Sequence, residues 1–296
     1  MSQTTSKTSS RIPIASSTWF ITGIGRGLGR NIAEEVLRRG GRVAGTVRNL
    51  AHVDELKKQF PGQLWVGELD LSDLAKIATT FRAAVQHFGR VHAVVGNAGY
   101  SLLGAAEELQ LDAIRHIVDT NLIGSIELAR AAVAHMRPFG GGRLIQVSSS
   151  AGQAAFPGLS LYCATKWGIE GFIDSLAPEI APFGIQTTLV EPGTIRTDFG
   201  ASGILSPELE AYREGPVGMM RQMATGGYPA PGDPAKMATA IVETFEAEAA
   251  PPRLALGQDA FGYIKAALTG RLCQIEAYKN LTTDCDDVQN SLTCAG

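Results

Sequence analysis

Ser149, Tyr162 and Lys166 form a set of side chains that could catalyse proton transfer. Residues 142–147 alternate as an interior strand does, and Ser149 follows them, where parallel sheets place their ligands. Tyr162 and Lys166 are four residues apart in a segment without Gly or Pro, so a helix there puts both on one face. A neighbouring ammonium stabilises phenolate and is expected to lower the phenol pKa. The pair predicts an acid/base, although a solvated surface pair has the same spacing.

A glycine-rich turn follows the first predicted strand, residues 18–21, and precedes a segment with helical periodicity. Glycines in such a turn let backbone N–H groups and the positive end of the helix approach a pyrophosphate. The alternative is a tight strand-to-helix turn that binds no ligand, but the placement of the glycines favours a dinucleotide site. The candidate cofactor-binding residues of the turn are Gly23, Ile24, Arg26, Gly27, Leu28 and Gly29.

The end of the second predicted strand, residues 42–47, indicates which dinucleotide the turn would bind. An acidic residue there would bind the ribose 2′-hydroxyl of NAD, but this chain has Val47 followed by Arg48. A guanidinium suits the 2′-phosphate of NADP, and Arg26 could hold the same phosphate. Each arginine taken alone could be an exposed surface cation. Together they predict NADP (NADPH) as the cofactor.

Two further predicted strands, residues 64–67 and 91–95, end in residues that suit a dinucleotide. The aspartate after the first could accept a hydrogen bond from an adenine amino group, or cap the following helix, or both. Small residues after the second allow close approach of a ribose and a nicotinamide, and the asparagine there offers donors and acceptors. The candidates are Asp70, Leu71, Asn97, Ala98 and Gly99.

Asn121 lies near the middle of a helix predicted over residues 107–136. Asparagine is mildly unfavourable within a helix, so it is either a satisfied interior amide at a kink or a residue that positions water beside Lys166. A further turn follows the strand predicted at residues 185–190, and its backbone donors could bind the nicotinamide amide. Its candidate residues are Pro192, Gly193, Ile195 and Thr197.

The segment of residues 198–233 contains many Gly and Pro residues together with apolar side chains. Its length predicts a lid or binding loop, and its methionines either suit a lipophilic ligand or fill the core. Apolar residues after strand ends predict a hydrophobic ketone, aldehyde or secondary alcohol as the substrate. These residues are Tyr100, Leu102, Leu103, Phe156, Leu159 and Phe199.

The alternation of strands and helices predicts an α/β fold with a doubly wound parallel sheet of the Rossmann type, about seven strands flanked by helices. The dinucleotide-binding and catalytic domain is expected to span residues 18–257. Residues 1–17 are Ser/Thr-rich with two basic residues and no amphipathic repeat, so a flexible tail is expected rather than an organelle transit peptide. A C-terminal helix and tail are expected over residues 258–296.

Composition narrows the class of protein. The net charge of -3 gives no electrostatic reason to bind nucleic acid. No apolar run reaches the roughly 20 residues of a membrane helix, so no membrane span and a cytoplasmic location are expected. The four cysteines lack metal-ligand spacing, so reduced thiols and no metal site are expected.

Taken as a set, these motifs resemble those of the short-chain dehydrogenases/reductases, in the compact single-domain branch. The likeness covers residues 19–257. The family usually has an asparagine where this chain has Gly96, and the difference is expected to loosen one strand-anchoring contact. The resemblance rests on Thr22-Gly23-x-x-x-Gly27-x-Gly29, Asn97-Ala98-Gly99, Asn121, Ser149, Tyr162-x-x-x-Lys166 and Pro192-Gly193.

The resemblance implies hydride transfer between NADP and a hydrophobic carbonyl or alcohol. It implies that Ser149 polarises the carbonyl and that Tyr162 exchanges the proton. Lys166 would lower the Tyr162 pKa and bond the nicotinamide ribose, and Asn121 would hold a water that connects Lys166 to solvent. Family members often pair through the helices that carry Asn121 and Tyr162, which implies a homodimer or homotetramer.

Two other functions use a similar fold. A non-catalytic NADP-binding regulatory protein would need the glycine turn and Arg48, but it would have no use for Ser149, Tyr162 and Lys166. A sugar-nucleotide epimerase is disfavoured by the spacing of the glycines and by the lack of a separate substrate domain. The enzyme is therefore the preferred prediction.

Overall fold

A parallel sheet forms the centre of the computed structural model, which describes residues 12–197, 199, 203–226 and 230–283. Its inner strands are buried on both faces, which explains their nearly continuous apolar sequences, while its two edge strands are partly exposed. The strands of the described chain are β1 (Thr18–Thr22), β2 (Arg42–Val47), β3 (Leu64–Glu68), β4 (Ala93–Gly96), β5 (Leu102–Leu103), β6 (Gly142–Val147), β7 (Ile185–Pro192), β8 (Ile204–Leu205) and β9 (Arg253–Leu256).

The main sheet has seven strands in the order β3-β2-β1-β4-β6-β7-β9. Every neighbouring pair is parallel. The strand order reverses between β1 and β4, and ligands of such sheets bind at the carboxyl ends beside this reversal. The predicted doubly wound fold with about seven strands is confirmed.

Helices cover both faces of the sheet and complete two cores. Trp19 and Ile21 of β1 lie in one core cluster and Phe20 in the other, because successive side chains of a strand point to opposite faces. The helices are α1 (Gly27–Arg38), α2 (Asp54–Gln59), α3 (Leu74–Phe88), α4 (Leu111–Val118), α5 (Gly124–Met136), α6 (Ser160–Ile180), α7 (Pro216–Thr225), α8 (Pro234–Glu243), α9 (Gln258–Ala277) and α10 (Lys279–Thr283).

The helix predicted over residues 107–136 begins later, at Leu111, and ends at Met136 as predicted. A π-helical segment, Asp119–Ile123, separates α4 from α5 and contains Asn121. Just after it, a β-carbon on Gly124 would lie 2.5 Å from the carbonyl oxygen of Leu71, so the helix passes the end of β3 closely.

The predicted lid segment is partly ordered by its own secondary structure. β8 pairs in parallel with β5, and α7 follows it. The buried carboxylate of Glu108 accepts hydrogen bonds from the N–H groups of Ala105 (2.6 Å) and Leu209 (2.8 Å) and from Arg221 Nη2 (2.7 Å). These bonds fasten the lid segment to the loop that follows β4.

The two ends of the described chain differ in packing. Ile14–Ser16 form a 3-10 helix and Ile14 is buried in the core, so the packed part begins before the predicted boundary at residue 18. At the other end, α9 lies in the region where a C-terminal helix was expected. Among the described residues, no helix is both long and apolar enough to cross a membrane. Cys285 and Cys294 lie outside the described residues.

Candidate active site

Ser149 and Tyr162 meet where β6 ends and α6 begins. Ser149 is the residue before a 3-10 turn, and its Oγ accepts a hydrogen bond from the N–H of Ala151 at 3.1 Å. The Ser149 hydroxyl also hydrogen-bonds the phenol of Tyr162. Tyr162 lies in the first turn of α6 and is 7% exposed. The structure therefore brings the predicted carbonyl-polarising hydroxyl and the predicted acid together.

Lys166 lies one turn further along α6, on the same face as Tyr162. Its Nζ donates a hydrogen bond to the carbonyl oxygen of Val147 at 3.0 Å. The same Nζ lies 5.7 Å from the centroid of the Tyr162 ring. The last peptide of β6 thus holds the ammonium beside the phenol, as the spacing of the two residues predicted.

The pKa values of the pair are governed by burial. Loss of water raises the pKa of Tyr162 to about 12, although the hydrogen bond with Ser149 acts in the opposite direction. Burial lowers the pKa of Lys166 to about 8, against the negative charge of Glu170. The pKa of Tyr162 is thus raised and not lowered as expected, because desolvation outweighs the hydrogen bond with Ser149. Tyr162 is therefore protonated at neutral pH.

Asn121 is a satisfied interior amide, the first of the two roles open to it. Its Nδ2 donates to the carbonyl oxygen of Tyr100 at 2.8 Å, and its Oδ1 accepts from the N–H of Tyr100 at 3.1 Å. Nδ2 also lies 3.4 Å from Thr165 Oγ1 on α6. The amide therefore joins the loop after β4 to α6.

The glycine turn requires glycine at the positions that approach other backbone. Gly23 and Gly27 have φ values of 76° and 60°, which favour glycine. A β-carbon on Gly29 would lie 2.3 Å from Asn97 Nδ2 and 2.5 Å from the carbonyl oxygen of Gly23. The N–H groups of Gly23 and Ile24 both donate to the carbonyl oxygen of Thr46, which fixes the turn to the end of β2.

Thr22 joins the carboxyl ends of β1 and β4. Its hydroxyl oxygen accepts hydrogen bonds from the N–H of Asn97 (2.9 Å) and Ala98 (3.0 Å). In return, Asn97 Nδ2 donates to the carbonyl oxygen of Thr22 at 2.9 Å. Gly99 packs against Asn121, since a β-carbon there would lie 3.0 Å from Asn121 Oδ1. The Asn97 side chain therefore shapes the crevice at the reversal of strand order.

Two arginines stand where the adenosine end of a dinucleotide is predicted. Arg26 immediately precedes α1, Arg48 immediately follows β2, and both are exposed.

Burial acts to raise the pKa of Asp70, but hydrogen bonds from the Ser72 N–H and hydroxyl, together with the charge of Arg48, leave this pKa below its ordinary value. Asp70 Oδ1 accepts both bonds, at 2.9 and 2.8 Å. Asp70 thus shapes the turn before α3, but it does not cap that helix as its alternative role predicted, because the residue before α3 is Asp73.

Three of the predicted cofactor-binding residues bury their side chains. Ile24, Leu28 and Leu71 are 0%, 8% and 4% exposed and belong to the two core clusters. A β-carbon on Gly45 would lie 2.1 Å from the Ile24 side chain, which shows how deeply that residue is inserted. These three residues can face a cofactor only through their backbones.

The turn after β7 uses part of its backbone within the protein. The N–H of Gly193 donates to the carbonyl oxygen of Leu256 at 2.9 Å, and the N–H of Thr194 donates to Asp259 Oδ2 at 2.7 Å. Ile195 forms an isolated bridge with Gly232. Asp259 was missed by sequence reasoning because it lies on α9. It now accounts for Gly193, since a β-carbon there would lie 2.1 Å from Asp259 Oδ1.

Thr197 is the residue of this turn that reaches the glycine turn. A β-carbon on Gly27 would lie 3.7 Å from Thr197 Cβ. The structure therefore places the last candidate of the β7 turn against the start of α1, on the same side of the sheet as Ser149 and Tyr162.

Apolar side chains surround the phenol of Tyr162. Tyr162 belongs to a small cluster with Leu102 and Cys163, and the ring of Phe199 lies 6.3 Å from its own, centroid to centroid. Leu103 is buried beside Gly158. The partly buried members of the cluster include three of the predicted substrate-facing residues, Tyr100, Phe156 and Leu159.

Gln146 explains the unusual Gly96. Its Nε2 donates to the carbonyl oxygen of Gly96 at 3.0 Å, and a β-carbon at residue 96 would lie 2.3 Å from Gln146 Oε1. The glutamine side chain thus occupies the space that an asparagine at residue 96 would need, and it supplies a contact between β4 and β6. In the sequence, the signal for this role was the polar residue Gln146 within the buried strand β6.

Comparison with known proteins extends over the same elements. The short chain dehydrogenase family model matches residues 17–204. Oxidoreductase BOA17 of Botryotinia fuckeliana is 32% identical over 266 residues, 89% of this chain and 97% of that protein. Human 17-beta-hydroxysteroid dehydrogenase type 1 is 32% identical over 198 residues, 64% of this chain and 60% of that protein. A short-chain dehydrogenase structure from Streptomyces avermitilis has a TM-score of 0.86 and 36% identity, covering 91% of this chain and 98% of that one.

Proposed function

The chain belongs to the short-chain dehydrogenase family of oxidoreductases, and we propose that it interconverts a hydrophobic ketone or aldehyde and its alcohol with NADP(H). The arrangement of Ser149, Tyr162 and Lys166 carries the proposal. The three side chains meet at the carboxyl end of β6, and Tyr162 and Lys166 are buried there. A protein that only sensed a dinucleotide would have no use for a desolvated phenol and ammonium at this place.

The glycine turn fits a nicotinamide dinucleotide. Its backbone packs directly on the end of β4, and side chains at residues 23, 27 and 29 would be strained or would clash. The start of α1 supplies the positive end of a helix dipole for a pyrophosphate. Exposed Arg26 and Arg48 at the ends of the neighbouring turns support NADP rather than NAD, since β2 ends without an acidic residue.

Each catalytic side chain has a defined task in the reduction of a carbonyl. The bound nicotinamide supplies the hydride. Tyr162 donates its proton to the carbonyl oxygen while the Ser149 hydroxyl holds that oxygen by a second hydrogen bond. Lys166 stabilises the phenolate that remains. Asn121, which bonds Thr165 on the helix that carries Lys166, would hold the water that reprotonates the site.

The pKa shifts suit this direction of reaction. Because burial keeps the pKa of Tyr162 at about 12, its phenol carries the proton throughout the neutral range. Because burial places the pKa of Lys166 at about 8, its ammonium loses its charge as pH rises through this value. The rate of reduction should therefore decrease above about pH 8.

The surroundings of Tyr162 support a lipophilic substrate of medium size. Tyr162 belongs to the apolar cluster that contains Leu102, and the ring of Phe199 lies 6.3 Å from the phenol ring, centroid to centroid. α7 approaches the loop before α6, since a β-carbon on Gly158 would lie 3.5 Å from Val217, and it also carries two exposed methionines, Met219 and Met223, which can adapt to different shapes. Human 17-beta-hydroxysteroid dehydrogenase type 1 is named for a steroid alcohol, so steroid-like and aromatic carbonyl compounds are the first substrates to test.

The proposal is tested by following NADPH consumption with a panel of such ketones and aldehydes. Tyr162→Phe removes only the proton donor and is expected to lower kcat/KM by about 10²- to 10⁴-fold. Tyr278→Phe is the matched control, because this tyrosine is 66% exposed after α9. Full turnover by Tyr162→Phe would contradict the assignment of the acid. Tight NADPH binding without turnover on any carbonyl would instead support a regulatory protein.

Cofactor choice is tested separately through kcat/KM for NADPH and NADH. We expect a preference for NADPH that falls by about tenfold or more in Arg48→Ala and in Arg26→Ala, because each variant removes a charge-assisted phosphate contact. Arg82→Ala removes an exposed arginine on α3 and should leave the preference unchanged. Equal values for the two cofactors in the unaltered protein would refute this part of the proposal.

We further propose that the chain forms a homodimer or homotetramer through α5 and α6. Trp167 on α6 is 41% exposed, and its ring is covered on one face by the guanidinium of Arg271 at 5.0 Å. Such a helix face can pack against a second copy. Light scattering during size-exclusion chromatography measures the assembly, and a monomer at micromolar concentration would contradict this proposal.

A further inference from the structure

Glu170 lies on the same face of α6 as Tyr162 and Lys166, one turn beyond Lys166. Its side chain is 3% exposed. Carboxylates are rarely buried without specific partners, and this one lies next to the proposed proton-transfer site. The partners of Glu170 therefore indicate what it does there.

Glu170 holds both ends of the loop that carries Ser149. The hydroxyl of Ser148 donates to Glu170 Oε1 at 2.5 Å, and the side-chain amide of Gln153 donates to Oε2. A β-carbon on Gly152 would lie 1.8 Å from Glu170 Oε1, so only glycine lets the loop approach so closely. The loop of residues 148–153 is thereby tied to the helix of the catalytic tyrosine and lysine.

Arg253 of β9 neutralises part of the charge around Glu170. Its Nη1 donates to Glu170 Oε2 at 2.6 Å and also to Glu191, and its Nη2 donates to Asp174 at 2.5 Å. Burial, together with the charge of Glu170, raises the pKa of Glu191. One guanidinium thus faces three carboxyl groups. Its single positive charge does not balance all three, so negative charge remains on the side of Lys166.

The charge of Glu170 acts on Lys166. Burial lowers the pKa of this lysine, and the negative charge of Glu170 opposes that shift with a smaller effect. The titratable and charged groups that face the two residues are Tyr162, Cys163 and Asp174 on α6, Glu191 on β7, Arg253 on β9 and, through Gln153, Arg271 on α9.

We propose that Glu170 is a positioning residue for the reaction: it holds the Ser149 loop in place and helps keep Lys166 charged, with Arg253 as its counter-ion. This inference rests on the proposed function. A purely structural ion pair would explain the contacts of Glu170, but it would have no effect on the titration of Lys166. The titration therefore separates the two roles.

The test is the pH dependence of kcat/KM for NADPH-dependent reduction by Glu170→Gln. The amide keeps the shape and loses the charge, so the ammonium of Lys166 should be lost at lower pH. We expect the alkaline limb to move down by about one pH unit. We expect kcat to fall by about tenfold, because Ser149 is less well placed, while KM for the carbonyl changes less.

Two further variants serve as controls. Asp174→Asn also removes a carboxylate that contacts Arg253, but Asp174 is 55% exposed and should leave the pH profile unchanged. Glu170→Asp keeps the charge, so its alkaline limb should stay near that of the unaltered protein while kcat falls. A folded Glu170→Gln with an unchanged profile would overturn the inference, and so would an equal displacement of the limb in all three variants.

Titration of Lys166 by nuclear magnetic resonance of ¹⁵N-lysine-labelled protein gives a readout that needs no turnover. The signal is assigned by its loss in Lys166→Met. A lower midpoint in Glu170→Gln supports the inference even if no carbonyl is reduced, a result that would count against the proposed function alone. An unchanged midpoint overturns the inference.

If Glu170→Gln does not fold, Ser148→Ala tests the contact between Glu170 and the Ser149 loop through kcat. An unchanged kcat in this variant overturns the proposed role of Glu170 in holding the loop.

Discussion

Two histidines at the amino-terminal edge of the sheet, His92 buried and His135 partly buried, should make stability depend on pH. His92 Nδ1 accepts a hydrogen bond from the N–H of Thr18, and His135 Nε2 accepts one from the N–H of Val91, both at 3.0 Å. An imidazolium has no acceptor nitrogen, so each bond requires neutral histidine. Burial lowers the pKa of His92 to about 4 and also lowers that of His135.

The sign of the effect follows from proton binding. In the unfolded chain His92 has its ordinary pKa of about 6.5, so between this value and about 4 the unfolded state binds more protons than the folded state. The free energy of unfolding therefore decreases as pH falls through that window. The difference between the two pKa values corresponds to about 3 kcal/mol in total, of which about 2 kcal/mol is lost by pH 5.

The assay is urea unfolding at pH 7.5 and pH 5, followed by the fluorescence of buried tryptophan such as Trp19. His92→Asn offers an amide oxygen in place of Nδ1 and does not titrate. We expect this variant to lose about 2 kcal/mol less than the unaltered protein between the two pH values. His87→Gln changes an exposed imidazole and is the matched control.

The comparison between variants cancels the carboxylates, which titrate in all of them. If His92→Asn showed the same decrease in unfolding free energy as the unaltered protein, the neutral acceptor at His92 would not be the cause. If His87→Gln also flattened the pH dependence, exposure would not matter and the reasoning from burial would fail.

Two further substitutions test the glycine turn and the lid. Gly29→Ala should lower NADPH affinity by about tenfold or more and destabilise the fold by about 1–3 kcal/mol, because its methyl group overlaps backbone and Asn97. Titration calorimetry and urea unfolding measure these effects, and Gly262→Ala on α9, with open space around it, should be neutral. Arg221→Met should destabilise the lid by about 2 kcal/mol, because it leaves the buried Glu108 carboxylate without its cation. Limited proteolysis should cleave the lid segment faster in Arg221→Met than in Arg213→Met, because the ion pair that Arg213 forms is exposed.

The predicted elements show which patterns are reliable and which are not. β1, β2, β3, β6 and β7 begin and end close to their predicted limits, because buried parallel strands are short apolar runs bounded by turn residues. The helix predicted over residues 107–136 begins at Leu111 instead, and a π-helical segment that the pattern did not indicate lies within it at Asn121. Within that segment, Asn121 bonds Tyr100, 21 residues earlier in the chain.

The pKa of Tyr162 is a second point that the sequence could not supply. The spacing of Tyr162 and Lys166 correctly predicts that they are neighbours, but a helix surface and a buried face have the same spacing. Burial arises only when the loop after β6 and the apolar cluster close around the phenol. Desolvation then raises the pKa that the lysine alone was expected to lower.

By itself, the sequence determined the strands of the sheet, the glycine turn and the spacing of Tyr162 and Lys166, because each depends on residues close together in the chain. Only the tertiary structure decided the surroundings of these residues. Arg253 meets Glu170 across 83 residues, and Gln146 fills the space beside Gly96 across 50. Such partners are chosen by strand order and packing, which bring distant positions together without leaving a local pattern.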